Sequence, residues 1–274
     1  MKKILLLPFA AGLTFAACGI NNKLGLTEYT LYSDKVSQKV TLAYLSDIHS
    51  QRFKDGGKNL FSVTDSANAD CVLLGGDVFD KHGGDSDFDY TFDFLKKIKE
   101  RYTNVFFAAG NHEYECERLY ELKSRTENIG ITVLGDESTV FTAFSGQKIL
   151  IGGTDTLTCD NPVPVNQKKD FIKKAQETGL FSVLLRHVPM NTDGDEKIDL
   201  ILSGHNHGGL WRIPKTDFGV AGGGKKFFPR FVHGEYAFGE TKLIVSSGIT
   251  TQTYLLPRLY NPPEVLKINI LPKK

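Results

Sequence analysis

Five short apolar segments of this chain each end in residues that can bind a metal ion. The segments resemble buried strands, beginning with residues 40–46 and ending with residues 200–203. The candidate ligands that follow them are Asp47 with His49, Asp77, Asn111 with His112, His187, and His205 with His207. Functional groups after the carboxyl ends of strands in an α/β sheet converge on one edge, where ligand sites form. The pattern therefore predicts one shared polar site.

The rest of the chain alternates between helical and strand-like patterns. We predict helices at residues 58–67, 88–101, 114–127 and 167–177, and further strands at 71–74, 105–109, 132–134, 139–144, 148–152 and 181–185. Residues 219–224 are predicted to be a surface loop, and residues 235–270 β-hairpins and a closing strand. The sequence shows neither an internal repeat nor a low-complexity linker, so one α/β domain is the economical interpretation.

The first residues have the layout of an export signal. Two lysines precede an apolar stretch, residues 4–17, which ends in small residues. A membrane-spanning helix needs about 20 apolar residues, and this stretch is shorter. A buried N-terminal helix is the alternative, but Pro8 and Gly12 disfavour it. We therefore predict that the chain is exported.

A cysteine closes this stretch. Phe15-Ala16-Ala17-Cys18 resembles the lipobox of bacterial lipoproteins, in which the cysteine is lipidated. We therefore expect residues 1–18 to be a lipoprotein signal peptide and Cys18 to anchor the chain, on the outer face of the cytoplasmic membrane or in the periplasm. Cleavage near Ala17 with plain secretion is the alternative.

Charge and cysteine usage narrow the class of protein further. Of the 274 residues, 24% are charged and the formal net charge is +1, so the overall balance indicates no nucleic-acid partner. Cys71, Cys116 and Cys159 lack the CxxC spacing of zinc knuckles and redox pairs. Cys71, inside a predicted strand, is expected to act as a small hydrophobe. Whether Cys116 and Cys159 form a disulfide, as cysteines of exported proteins can, is a question that the sequence leaves open.

Each ligand-bearing block has a simple structural explanation when it is taken alone. Gly75-Gly76-Asp77 could be a turn, Gly110-Asn111-His112-Glu113 a loop before a helix, and His187 a buried, hydrogen-bonded histidine. The block Gly204-His205-Asn206-His207-Gly208-Gly209 is more specific, because its glycines let two imidazoles approach one ion. The order of the blocks is more specific than any one of them.

Asp-x-His, Gly-Asp, Gly-Asn-His-Glu, His and Gly-His-x-His, each after an apolar strand, together resemble the calcineurin-like metallophosphoesterases from about residue 40 to residue 271. Residues 204–214, Arg258 and residues 261–264 resemble the branch that contains exported bacterial phosphoesterases and lipid A pathway pyrophosphatases. Asn206 stands where that branch commonly has Thr, and Ser50 where a Gly often follows Asp-x-His.

The resemblance implies an α/β (α+β) fold, namely a four-layer αββα sandwich of two mixed β-sheets flanked by helices, over residues 40–274. Residues 19–39 would form a linker and a first strand region. The resemblance also implies two divalent metal ions, with Mn, Fe or Zn suited to carboxylate and imidazole ligands. Asp47, His49 and His207 would hold the first ion, Asn111, His187 and His205 the second, and Asp77 would bridge them.

The implied chemistry is hydrolysis of a phosphate ester, in which a bridging hydroxide attacks phosphorus. His112 would polarise the phosphoryl group or protonate the leaving group. Asp80 would orient a histidine, although a turn aspartate that caps the next segment is the alternative. His82 is expected to be a solvated loop residue, and His233 to be structural.

Phosphodiester and phosphomonoester substrates both stay open, and a lipid anchor favours a membrane-associated one. A catalytically inactive lipoprotein that binds metal or ligand with the same fold is the alternative function. A metallo-β-lactamase would need a His-x-His-x-Asp-His block, which the chain lacks. We expect a monomer. Phe227 and Phe228 could touch a membrane or cover substrate, but scattered exposed aromatic side chains need no special explanation.

Overall fold

The computed structural model describes residues 19–135, 137–154, 165–191, 197–214, 216, 218–222, 227–251 and 257–273. The predicted signal with Cys18, and Cys159 of the candidate disulfide, lie outside the described residues. Among the described residues, no helix has the length and apolar composition needed to cross a membrane.

The described strands form two six-stranded sheets. The first sheet has the order β1 (Gly25–Ser33), β12 (Glu264–Pro272), β2 (Val40–Leu45), β3 (Cys71–Leu74), β4 (Val105–Ala108) and β5 (Thr132–Leu134). The second has the order β10 (Gly234–Phe238), β11 (Thr241–Val245), β9 (Leu200–Ser203), β8 (Phe181–Arg186), β7 (Lys148–Thr154) and β6 (Ser138–Thr142).

Both sheets are mixed. Strands β2 to β5 run parallel to one another, and β12 lies antiparallel to β2. Strands β7, β8, β9 and β11 are parallel, with β6 and β10 as antiparallel edges. In the region that precedes the predicted domain, β1 pairs in parallel with β12 from Gly25 opposite Glu264 to Ser33 opposite Pro272. The N-terminal strand is therefore tied to the closing strand of the chain.

Five described helices cover the outer faces of the sheets. They are α1 (Lys58–Ser66), α2 (Asp85–Arg101), α3 (Asn111–Glu115), α4 (Leu119–Asn128) and α5 (Val165–Thr178). Phe92 on α2 and Leu122 on α4 pack on the first sheet, whereas Phe171 and Ala175 on α5 pack on the second. The layers are helix, sheet, sheet, helix, which confirms the predicted four-layer αββα sandwich.

The main core lies between the two sheets. In β2, Leu42 and Tyr44 point into this layer, while Ala43 and Leu45 point towards the helices, because successive side chains of a strand face opposite sides. All six residues of β2 are buried, as expected for a strand that is covered on both faces. Cys71 is buried in the same inter-sheet layer, which confirms its packing role.

One predicted helix, residues 114–127, proves to be two. The structure has the short α3 and then α4, separated by a segment in which Glu117 adopts a left-handed conformation with φ 58°. The α-helical hydrogen bonds cannot continue through that conformation. The short α3 begins at Asn111, at the carboxyl end of β4, so its first turn belongs to the candidate site.

Candidate metal centre

The carboxyl ends of five strands from both sheets meet at one end of the sandwich. In the first sheet, β2, β3 and β4 lead to Asp47, Asp77 and Asn111. In the second, β8 leads to His187 and β9 to His205. The five side chains are buried. The structure thus brings the predicted ligands together, at a point where the ends of two sheets face each other.

The backbone of these residues is unusual. Asp47, His49, Asp77, His205 and His207 all adopt left-handed conformations, with φ between 47° and 70°. Residues other than glycine rarely do so, and each such conformation costs on the order of 1–3 kcal/mol unless its surroundings hold it in place. Backbone hydrogen bonds from Asp47 to the Gly76 carbonyl (3.0 Å) and from His49 to the Asp77 carbonyl (2.9 Å) hold two of them.

Glycines let the turns approach the two aspartates. A Cβ atom on Gly110 would lie 2.2 Å from Asp77 Oδ1, and one on Gly204 would lie 2.3 Å from Asp47 Oδ2. Neither position accepts any other residue without displacing a carboxylate. The glycines of the Gly-Asn-His-Glu and Gly-His-x-His blocks are therefore required by close packing against the site.

Asp47, His49 and His207 form one group whose candidate ligand atoms all lie within 4.8 Å of one another. The Nε2 atoms of His207 and His49 lie 3.7 Å and 4.0 Å from Asp47 Oδ1. These distances are too long for hydrogen bonds. Two ligands of one ion, each about 2.0–2.2 Å from it, lie at most about 4.4 Å apart. The group therefore has the dimensions of a metal site.

Asp77, His187 and His205 form a second group with the same property. His187 Nε2 lies 3.1 Å from Asp77 Oδ2 without hydrogen-bond geometry, and Asn111 Oδ1 lies 2.9 Å from His205 Nδ1. The two groups adjoin, because His49 Nε2 is 3.7 Å from Asp77 Oδ2. Asp77 is thus placed between the two sets of imidazoles, as a bridging ligand would be.

Two buried imidazole nitrogens that face Asp77 Oδ2, His49 Nε2 at 3.7 Å and His187 Nε2 at 3.1 Å, lack a hydrogen-bond partner among the described residues. A buried polar atom without a partner costs about 1–3 kcal/mol. Two such nitrogens facing one carboxylate are expected where a cation completes their bonding. Oxygen and imidazole nitrogen ligands without thiolate fit divalent metals such as Mn, Fe and Zn.

The protonation states suit such a cation. Burial lowers the pKa of His49 to about 3 and that of His205 to about 4, so both imidazoles are neutral at pH 7. Burial also holds the pKa of His207 well below its usual range, and the Arg258 cation lowers it further. Neutral imidazole is the form that binds metal.

The Asp77 carboxylate is the electrostatic centre of the site. Burial alone would raise its pKa, but His187 and His112 hold it well below the usual range of a carboxyl group. In turn, Asp77 raises the pKa of His187 to about 10 against the opposing effect of burial. Asp77 thus favours positive charge beside it, which a bound metal cation would supply.

The structure places His112, the predicted catalytic histidine, at the mouth of the site. Its backbone N–H donates to Asp77 Oδ1 (2.9 Å), and its ring Nε2 lies 3.9 Å from Asp77 Oδ2. Its side chain is 18% exposed, whereas that of His187 is fully buried. Asp77, His49 and His112 also form a third group at ligand distance. His112 can therefore reach both the metal centre and a substrate.

Asp80 lies beside His112 as predicted, with Oδ1 3.3 Å from His112 Nδ1. The same oxygen accepts the His82 backbone N–H (3.0 Å), so Asp80 also closes a turn. His82 is exposed, and its ring centre is 6.4 Å from that of His112. His233 lies outside the site, with Nε2 3.3 Å from the buried Glu264. Both histidines agree with the expectations for them.

Glu113 has a role that sequence reasoning missed. Its buried carboxylate accepts four backbone N–H groups, those of Asp77 (2.9 Å), Val78 (2.6 Å), Phe79 (2.9 Å) and Gly110 (2.7 Å). One side chain thereby fixes the turn that carries Asp77. The spacing from Gly110 to Glu113, which is that of a capping box, was the available signal.

Ser50 and Arg258 also gain an explanation. Ser50 is left-handed, with φ 49°, which accounts for the glycine that is common there, and its hydroxyl accepts the Asp80 N–H (3.0 Å). Arg258 is fully buried and donates to the Ser247 carbonyl (2.7 Å). Asn261 donates from Nδ2 to the His207 carbonyl (2.6 Å). The C-terminal motif therefore supports the loop that carries His207.

Known proteins share sequence with this chain over most of its length. A family model of the calcineurin-like phosphoesterases matches residues 40–209. Phosphodiesterase YaeI of Escherichia coli (strain K12) is 29% identical over 242 residues, which cover 84% of this chain and 82% of that protein. The uncharacterized protein YpbG of Bacillus subtilis (strain 168) is 27% identical over 241 residues, 86% of this chain and 87% of that protein.

A solved structure shares the fold. The protein TT1561 of Thermus thermophilus matches with a TM-score of 0.51 at 10% sequence identity, over 77% of this chain and 91% of that chain. At so low an identity the match concerns the arrangement of sheets and helices alone.

Proposed function

Because this chain belongs to the calcineurin-like phosphoesterase family, whose members are metal-dependent phosphoric ester hydrolases, we propose that it holds two divalent metal ions around Asp77 and cleaves phosphodiesters with them. The name of the Escherichia coli relative, a phosphodiesterase, supports the choice of diesters. Phosphomonoesters are the second candidate substrates.

The observation that carries the proposal is the pair of buried, unpartnered imidazole nitrogens on the two sides of Asp77, His49 Nε2 and His187 Nε2. The two ligand groups share a boundary at Asp77, which lies 3.7 Å from His49 on one side and 3.1 Å from His187 on the other. A single ion would leave one group of buried atoms without a partner. Two ions satisfy both groups.

The bound ions would supply a nucleophile derived from water and would offset the negative charge of the phosphoryl group. The protein's own residues do the rest. The Asp47 and Asp77 carboxylates would hold the ions, and the His112 ring, at the mouth, would donate a hydrogen bond or a proton to the ester. Asp80, 3.3 Å from His112 Nδ1, holds that ring in its orientation.

The test is hydrolysis of bis-p-nitrophenyl phosphate and of p-nitrophenyl phosphate, after chelation and after return of Mn²⁺, Fe²⁺ or Zn²⁺. We expect activity to vanish on chelation, to return with metal, and to be higher on the diester. Metal analysis of the active protein should find close to two ions per chain. Metal binding without turnover of either substrate would favour the inactive lipoprotein, and one ion at full activity would reject the dinuclear site.

We further propose that the chain is exported and anchored through a lipid on Cys18. The support is the sequence of residues 1–18, with its basic start, apolar stretch and terminal Ala16-Ala17-Cys18. Mass spectrometry of the mature N-terminus should find a diacylated Cys18, and Cys18→Ser should release the protein from the membrane fraction. A wild-type protein that is already soluble would reject the anchor.

A further inference from the structure

An exposed apolar patch adjoins the metal centre. It lies on the segment 210–231, called here the aromatic loop, of which residues 210–214, 216, 218–222 and 227–231 are described. Four side chains of this loop are large, apolar and exposed: Ile213 (49%), Phe218 (49%), Phe227 (77%) and Phe228 (59%). Six other such side chains occur among the described residues, at Ile20, Tyr32, Tyr114, Tyr120, Val140 and Phe144. The aromatic residues of the loop are thus not the scattered ones expected from the sequence.

The backbone holds these side chains outward. Phe228 adopts φ 51°, a left-handed conformation that is a true outlier for a bulky residue. Its N–H donates to the Val220 carbonyl (3.0 Å), and its ring packs against Phe218 with 5.5 Å between ring centres. Strained conformations persist where the surrounding structure enforces them, and they gather at functional sites. The exposure of Phe228 is therefore built into the loop.

The loop is joined to the metal centre. It starts three residues after His207, and the N–H groups of Val220 and Ala221 both donate to the Gly209 carbonyl (3.1 Å each). Gly209 and Gly219 touch so closely that a Cβ on Gly209 would lie 2.4 Å from the Gly219 Cα. Asn206 donates from Nδ2 to the Phe231 carbonyl (2.6 Å). Whatever covers the patch therefore comes close to the site.

The charge of the segment indicates the kind of occupant. Residues 211–230 contain five basic side chains and one acidic one, Asp217: the basic residues are Arg212, Lys215, Lys225, Lys226 and Arg230. Five minus one gives a net charge of +4, whereas the whole chain has +1. Aromatic and aliphatic side chains flanked by lysine and arginine are the composition of surfaces that enter the headgroup region of anionic bilayers.

We propose that the aromatic loop docks on an anionic phospholipid bilayer, with Ile213, Phe218, Phe227 and Phe228 entering the lipid and the net positive charge of the segment attracting it to the headgroup phosphates. Docking would hold the metal centre against the membrane surface. The substrate class that follows, which rests on the proposed function, is the phosphodiester of a lipid headgroup. Docking itself requires no catalysis.

The chain contains a reporter for this proposal, because its single tryptophan, Trp211, lies in the loop. Trp211 fluorescence should be quenched by vesicles that combine brominated phosphatidylcholine with phosphatidylglycerol. The measurement uses the full chain, so every variant keeps the same N-terminus and any anchor there contributes equally. Quenching is independent of turnover, so failure of docking and failure of the proposed hydrolysis are distinguishable.

The structure offers a matched control. Phe144 is 76% exposed, almost as much as Phe227, but its backbone N–H donates to Asp70, which precedes β3 and so lies at the opposite end of the sandwich. We expect Phe227→Ser/Phe228→Ser to reduce quenching at least severalfold and Phe144→Ser to leave it at the wild-type level. Thermal unfolding of each variant checks that the fold is kept.

Four results would overturn the proposal. One is absence of quenching in the wild-type chain, and another is equal quenching in the double variant. The third is equal quenching by vesicles without phosphatidylglycerol, which would reject the anionic surface. Trp211 emission that changes with protein concentration in the absence of lipid would instead assign the patch to a second copy of the chain, and would equally overturn it.

Discussion

Aspartates at the two ends of the sandwich differ in how completely their carboxylates are hydrogen-bonded. At the amino ends of the strands, Asp70 precedes β3 and accepts the backbone N–H groups of Thr41 (2.7 Å) and Phe144 (2.9 Å). Asp199 precedes β9, accepts the N–H and O–H groups of Ser182 (both 2.8 Å), and pairs with Lys35 (2.9 Å). Protein donors satisfy both carboxylates.

At the carboxyl ends the aspartates are left open. Asp47 accepts the His205 N–H with Oδ1 (2.9 Å), while its Oδ2 has no partner among the described residues. Asp77 faces imidazoles that miss hydrogen-bond distance or geometry. An aspartate that precedes a strand here stabilises the fold through its hydrogen bonds, whereas one that follows a strand keeps bonding capacity for a cation. The difference teaches that burial alone does not mark a functional carboxylate; incomplete bonding does.

The largest expected effect is that of replacing Asp77, at the carboxyl ends of the strands. Asp77→Asn keeps the shape of the side chain and removes the charge shared by both ligand groups. We expect kcat/KM on bis-p-nitrophenyl phosphate to fall by about 10³-fold or more, and both ions to be lost. Kinetics together with metal analysis of the purified variant check this.

Asp70→Asn is the matched control at the opposite end. It removes an acceptor of two backbone N–H groups, so we expect the free energy of unfolding to fall by about 1–3 kcal/mol while kcat/KM stays within about twofold. Denaturant unfolding and the same assay measure both quantities. The assignment of a metal-binding role to Asp77 and a structural role to Asp70 would be wrong if Asp77→Asn kept both ions, or if Asp70→Asn lost as much activity as Asp77→Asn.

The second prediction concerns His112, which is close enough to Asp77 and His49 to serve as either a ligand or a proton donor. We expect His112→Ala to lower kcat by about 10²–10⁴-fold and to leave metal content near two ions per chain, since its side chain is more exposed than that of His187. Metal content that collapses with the activity would make His112 a ligand.

Much of this site could be predicted from the sequence, for a physical reason. Apolar strands with abrupt polar ends are visible as a linear pattern, and chain direction places those ends together. All seven predicted ligands, Asp47, His49, Asp77, Asn111, His187, His205 and His207, lie in the cluster. Periodicity could not assign each strand to one of two sheets, and here the family resemblance supplied the αββα arrangement.

The features that sequence reasoning missed depend on contacts between distant residues or on backbone strain. Three of the four donors to Glu113 come from residues 34 to 36 positions away, so no local pattern announces them. The left-handed conformations of Asp47 and Asp77 occur without glycine at those positions, so residue type gave no signal. The end of α3 before Glu117 has the same cause.

Glu113 gives the third prediction. Glu113→Gln keeps the shape of the side chain but replaces one carboxylate oxygen by an NH2 group. Two of the four backbone N–H groups then face a donor instead of an acceptor. We expect the free energy of unfolding to fall by about 2–4 kcal/mol and metal affinity to fall by about 10–100-fold. Denaturant unfolding and competition with a chelating dye measure the two effects.

Glu115 is the control for Glu113 on the same short helix. Its side chain is half-buried and pairs with the Lys81 ammonium, whereas that of Glu113 accepts the backbone N–H groups of the Asp77 turn. We expect Glu115→Gln to change stability by no more than about 0.5–1 kcal/mol and to leave metal affinity unchanged. A Glu113→Gln variant as stable and as metal-tight as Glu115→Gln would show that the four hydrogen bonds do not hold the turn.

The smallest expected effect concerns backbone strain at Ser50, beside the metal centre. Ser50→Gly and Ser50→Ala both remove the hydroxyl that accepts the Asp80 N–H (3.0 Å), but only glycine adopts φ 49° without strain. We therefore expect the glycine variant to be about 1 kcal/mol more stable than the alanine variant, by denaturant unfolding. Both should lose turnover by the same modest factor, because Asp80 is loosened equally beside His112. Equal stability of the two variants would mean that the left-handed conformation carries no strain, and the contrast between the ends would then rest on bonding alone.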